Sequence, residues 1–188
     1  MKFAIAPALT CQFAEVTFSP PLTAPVTDEA WMQTTQSLEG CIAARHIQWL
    51  YSLVSVQGDR SICVYAAPYA DAVREAYREA GMSFQQIYPA EQWFDQEPKS
   101  YQDNFLIVAE VRYDPPLTKS MYESQKQQAA GCFHELNIQY AWSVLTLDGT
   151  RSHCVFSAAC AEDVRSLYRK LNAPFDLVWK AILIQPQI

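Results

Sequence analysis

The alternation of apolar and polar residues along this chain predicts strands and helices in a fixed order, and then predicts the same order again. Residues 13–18 read as a first strand, ended by Pro20-Pro21 because proline cannot donate to a ladder. Trp31, Leu38 and Ile42 fall on one helical face with Thr35 between them. Residues 47–56 and 61–67 form two further strand patterns joined by Gln57-Gly58-Asp59-Arg60, a hairpin signal. A second helix over about 70–80 stops at Gly81, a residue type suited to the left-handed position past a helix end. A last strand runs over about 85–94.

The second half follows the same order. A shift of 91 positions lays residues 40–91 on 131–182 without a gap, with 18 of the 52 pairs identical. Near each start the shift becomes 95, so that Pro20-Pro21-Leu22-Thr23 falls on Pro115-Pro116-Leu117-Thr118. The difference is a four-residue insertion in a loop, which costs little closure entropy. In the second half the strand patterns begin at 107–113, the first helix opens at Ser120-Met121-Tyr122-Glu123 as a capping box, and Asp148-Gly149 marks the hairpin. The second helix there stops at Asn172 and the last strand covers about 176–185.

Two βαββαβ units give an α+β fold of two ferredoxin-like repeats, residues 1–94 and 105–188, with a polar, proline-bearing linker at 95–104. A four-stranded sheet covered by helices on one face needs a cover on the other. The expected arrangement is therefore a pseudo-dimeric, barrel-like pair within one chain, acting as a monomer or as a homodimer of that pair.

Strand alternation then sorts the faces. Val16 and Phe18 are expected toward the helices, with Glu15 on the opposite side and Glu110 and Arg112 on its counterpart. Trp49, Tyr51 and Leu53 are expected on one face, as are Tyr140, Trp142 and Val144, and Ser61, Cys63 and Tyr65 group likewise. An interior holding these rings with Glu15, Glu110 and Arg112 has the makings of an apolar pocket with a few convergent polar groups. Candidate ligand-binding residues are thus Glu15, Glu110, Arg112, Trp49, Tyr51, Tyr140, Trp142 and Tyr65. A buried carboxylate is costly without a partner, so either glutamate also qualifies as a general base.

Charge and composition narrow the partners. A formal charge of −6 and a pI near 5.0 disfavour nucleic acid and anionic membrane surfaces. No apolar run reaches membrane-spanning length, and Met1–Pro7 lacks the apolar core of a signal peptide. Six cysteines without a secretion signal or a C-x-x-C pair read as reduced thiols in the cytoplasm. His153 and Cys154 are strand neighbours pointing to opposite faces, and Cys132 and His134 are two apart on a helix, so neither pair makes a metal site. No phosphate-cradling loop, nucleophile elbow or zinc-protease helix occurs, and no cofactor is expected.

The motifs Trp49-Leu50-Tyr51-Ser52, Cys63-Val64-Tyr65-Ala66-Ala67-Pro68 and residues 72–81 of the second helix resemble the nickel-binding-protein-like domain family, and so do their counterparts in the second half. The resemblance implies a ferredoxin-like fold and a sheet-to-sheet pair. It also implies nickel, but members of that family often carry histidine where this chain has Tyr51 and Ala76, or Trp142 and Leu167. The expected function is binding of a small, largely apolar organic ligand in an aromatic-lined pocket between the two sheets. A cofactor-free isomerase, cyclase or monooxygenase and a divalent-metal protein are the alternatives.

Overall fold

The elements form in the order β1 (Thr10–Thr17), α1 (Asp28–Ala43), β2 (Gln48–Ser55), β3 (Arg60–Ala67), α2 (Ala70–Glu79) and β4 (Gln86–Phe94). After these come β5 (Phe105–Arg112), α3 (Lys119–Glu135), β6 (Gln139–Thr146), β7 (Arg151–Ala158), α4 (Ala161–Lys170) and β8 (Leu177–Ile184). The computed structural model describes residues 9–94 and 105–186. The expected linker at 95–104 and the Met1–Pro7 stretch lie outside the described residues. The fold is α+β with four helices and eight strands among the described residues. No helix among them is long and apolar enough to cross a membrane.

The chain divides into two compact units. Among the described residues the N-terminal unit takes 9–91 together with 182–186, and the C-terminal unit takes 92–94 and 105–181. In the N-terminal unit β1 lies between β4 and β3, and β3 pairs with β2, all antiparallel. In the C-terminal unit β5 lies between β8 and β7, and β7 pairs with β6. Ile184, at the end of β8, is part of the core of the N-terminal unit beside Trp31, Leu38, Tyr65 and Tyr77.

Local chemistry sets the ends of these elements. Thr27 caps α1 by accepting from the Ala30 amide at 3.2 Å, and Asp28 and Glu29 complement the positive end of the helix. Thr118, two residues ahead of Ser120, caps α3 by accepting from Met121 at 3.3 Å. Gly81 and Asn172 adopt the left-handed conformation after α2 and α4, as the sequence predicts, with φ of 68° and 49°. Arg74 on α2 reaches Asp71 and the Ile87 carbonyl, and Arg165 on α4 reaches Glu162 and the Val178 carbonyl, so each helix is tied to a strand of its sheet.

The hairpin glycines do more than turn the chain. Gly58 and Gly149 each have φ of 71°, and each carbonyl accepts from the amide of Leu22 or Leu117 in the loop after the Pro-Pro pair. A Cβ would come within 2.5 Å of the Leu22 oxygen at one position and 2.7 Å of the Leu117 oxygen at the other. Only glycine permits both the conformation and the approach.

One expectation about the faces is corrected. A β-bulge separates Trp49 from Tyr51: Trp49 pairs with Tyr65, Tyr51 pairs with Val64, and Leu50 is the extra residue. Trp49 therefore faces the helices together with Tyr65, while Tyr51 and Leu53 face away from them. The same bulge lies between Tyr140 and Trp142, so Tyr140 faces the helices with Phe156 and Trp142 faces away. Strict period-two alternation cannot carry a face assignment across an inserted residue.

Candidate functional site

The site grows out of what three positions place between helix and sheet. In the N-terminal unit α1 sets Trp31 and Leu38 against the sheet, and both are buried. Only a cleft of about 70 Å³ remains, lined by Trp31, Leu38, Ile42, Trp49, Ser52 and Tyr65 among others. Helix α3 starts 91 residues after α1 and carries Tyr122 and Ala129 at the corresponding positions. Phe156 in β7 corresponds to Tyr65 in β3, since each pairs with the residue just before a bulge. With a smaller side chain at Ala129, the C-terminal unit holds a cavity of about 220 Å³.

That cavity lies among α3, α4, β5, β6 and β7, and its wall is largely aromatic: Tyr113, Tyr122, Phe133, Tyr140, Phe156 and Tyr168. Cys154 on β7, Ala129 on α3 and Leu167 on α4 add to the apolar part, while Gln125, Lys126, Gln128 and Asn172 add polar groups. No carboxylate lines it. Tyr122 is drawn toward Trp93, with ring centroids 4.5 Å apart. The Tyr140 hydroxyl donates to the Trp93 carbonyl at 3.0 Å and lies 2.9 Å from the Ser143 hydroxyl.

The hydroxyls form a short polar line inside this wall. Tyr113 and Ser152 are 2.9 Å apart through their oxygens, and Ser152 Oγ is 3.5 Å from Cys154 Sγ. Burial pushes the phenols of Tyr113, Tyr140 and Tyr168 well above the usual tyrosine range. All three therefore keep their protons at physiological pH and can offer or accept a hydrogen bond without charge.

The residues singled out by sequence are distributed over several places. Trp49 and Tyr65 come together in the small N-terminal cleft, where Trp49 Nε1 donates to Ser52 Oγ at 3.0 Å. Tyr140 lines the larger cavity. Tyr51 and Trp142 are buried on the sheet faces turned from the helices. Glu15 lies opposite Ile62 and Gln86 on β1, half-buried. Glu110 lies opposite His153 in register, and its Oε1 accepts from Trp179 Nε1 at 2.8 Å. Arg112 is exposed at the end of β5 and pairs with Asp176 at 3.1 Å.

Tyr113, Cys154 and Tyr168 were not among the sequence candidates. The signal that points to them is the small-for-large exchange of Leu38 for Ala129 between the aligned halves, which frees space beneath one helix only.

Nickel does not fit these residues. The positions where the resembling family often carries histidine hold Tyr51 and Ala76, both fully buried, and Trp142 and Leu167, also buried. Among the described residues no group of three or more His, Cys, Asp or Glu side chains is placed to hold a metal ion.

Comparison with known proteins agrees on the fold. A doubly substituted chlorite dismutase from Candidatus Nitrospira defluvii superposes with a TM-score of 0.51 at 10% identity, covering 95% of this chain and 92% of that one. The same enzyme in complex with imidazole gives 0.50 at 11% identity, over 93% and 91% of the two chains. A curated relative, Glycosyl hydrolase family 109 protein 5 of Phocaeicola vulgatus, is 27% identical over 105 residues, 55% of this chain. The match spans only 20% of that relative's length. Residues 15–89 are matched by the family described as Nickel responsive protein SCO4226-like, the family that the strand and helix motifs of this chain resemble.

Proposed function

We propose that this protein binds a small, largely apolar organic molecule in the cavity of its C-terminal unit. The observation that carries the proposal is the cavity itself, about 220 Å³ walled by six aromatic rings with uncharged hydroxyls among them. That is the composition of a ligand pocket, mostly apolar with a few placed polar groups. The N-terminal unit narrows the equivalent space to a cleft of about 70 Å³ with Leu38 in its wall, so the larger cavity is not a by-product of the fold. We read the two units as products of an internal duplication in which one copy kept a packed interior and the other opened it. Six free cysteines, three of them buried, fit a reducing compartment such as the cytoplasm.

A thermal-shift screen of small aromatic and alicyclic compounds tests the proposal against Ala129→Leu, which copies the packed unit. Binders should raise the Tm of the wild type and leave that variant unmoved. Equal shifts in both proteins would place the binding elsewhere.

A further inference from the structure

The two units present the same pair of rings with one atom's difference. In the N-terminal unit the rings of Tyr65 and Tyr77 meet edge to face, centroids 6.2 Å apart at 87°, and their hydroxyls join at 2.8 Å. In the C-terminal unit Phe156 and Tyr168 meet at 6.2 Å and 89°. Phe156 presents the ring of Tyr65 without its hydroxyl.

The Tyr168 hydroxyl therefore faces no counterpart of the Tyr65 hydroxyl. Tyr168 is 8% exposed, and its side chain lines the cavity. Among the described residues its hydroxyl makes no hydrogen bond to a nitrogen or oxygen, and it is not one of the sealed-in polar atoms without a partner, so it opens onto the cavity. A hydroxyl that opens onto an otherwise apolar wall can exchange water for a ligand oxygen.

Resting on the proposed cavity function, the geometry points to Tyr168 as the anchor of a ligand that is an uncharged ring compound bearing a hydroxyl or carbonyl oxygen. That oxygen takes the place the Tyr65 hydroxyl holds in the other unit. The ligand is uncharged at this end because, among the described residues lining the cavity, Lys126 is the one ionic side chain and it is not among the groups acting on the Tyr168 hydroxyl. Its ring packs among Tyr113, Tyr140 and Phe156.

Two probes of one shape test this, 2-naphthol and naphthalene, with affinities measured by ligand-observed NMR on the full chain. Wild type should prefer 2-naphthol by roughly tenfold, the worth of one buried hydrogen bond. Tyr168→Phe should abolish that preference while keeping naphthalene binding. Phe156→Tyr restores the partner that the other unit already accommodates, and should also abolish it. This second variant decides the matter if Tyr168→Phe does not fold. Equal binding of both probes to wild type would overturn the anchor and leave the cavity reading standing. A preference that survives in either folded variant, or no binding of either probe to wild type, would also overturn it.

Discussion

Beneath α1 and beneath α3 the chain solves one packing problem in two ways. Under α1, Trp31 and Leu38 fill the space against the sheet, and the paired hydroxyls of Tyr65 and Tyr77 satisfy each other within it. Under α3, Ala129 leaves room, Tyr122 turns to Trp93, and Phe156 offers Tyr168 no hydroxyl. The strand registers around both spaces agree residue for residue, including the bulge. Side-chain volume and one oxygen atom, not backbone, separate a packed interior from a hollow one. Close packing is the default for a protein interior, so the hollow unit is the one whose interior departs from stability alone.

The largest effect should come from opening the packed unit. Leu38→Ala removes a side chain that is 3% exposed within a continuous core. It should cost about 2–5 kcal/mol in denaturant unfolding, because neighbours collapse only partly into such a gap. A loss below about 1 kcal/mol would mean that Leu38 is not what closes this space, and the contrast between the units would fail.

A smaller effect separates the two buried tyrosines. Tyr77→Phe strands the Tyr65 hydroxyl in a fully buried site and should cost about 1–3 kcal/mol. Tyr168→Phe strands nothing, since Phe156 stands opposite, and should leave stability within about 0.5 kcal/mol. Equal losses from the two substitutions, measured by chemical unfolding of the ligand-free protein, would show that Tyr168 has a protein partner after all.

Much of this fold is legible in the sequence because its signals are local. Pro-Pro pairs end the first strands, glycines mark both hairpins, and Gly81 and Asn172 end their helices through their own conformational tolerance. The sites were harder to see. One inserted residue, Leu50 or Ala141, reverses which ring of each strand meets the helices, and an alternating pattern contains no mark of it. Tyr65, Trp49 and Tyr140 thus face the helices apart from Tyr51 and Trp142. Cavities are set by missing volume, and a single sequence shows missing volume only by comparison. Here the chain carries its own comparison, in Leu38 against Ala129 and Tyr65 against Phe156.

The mildest difference at neutral pH lies on the faces turned from the helices, where Ile62 in β3 corresponds to His153 in β7. Both are 2% exposed. Burial, reinforced by the positive charge of Arg151, lowers the His153 pKa to about 3 from its ordinary value of 6.5. The imidazole is therefore neutral in the folded protein at pH 7. Below pH 6.5 the unfolded chain takes up a proton that the folded chain refuses. Stability present above that pH is then lost progressively as pH falls toward 3. Asp59, Asp148 and Glu162 also have lowered pKa values and add their own acid loss, but at carboxylate pH and equally in any variant at position 153. Subtracting the unfolding curves of wild type and His153→Ile between pH 7.5 and 4.5 should isolate the histidine, with the variant gaining on the wild type at each step down. Parallel curves would show that the imidazole is solvated, and that the C-terminal sheet is less well buried on this face than its N-terminal counterpart.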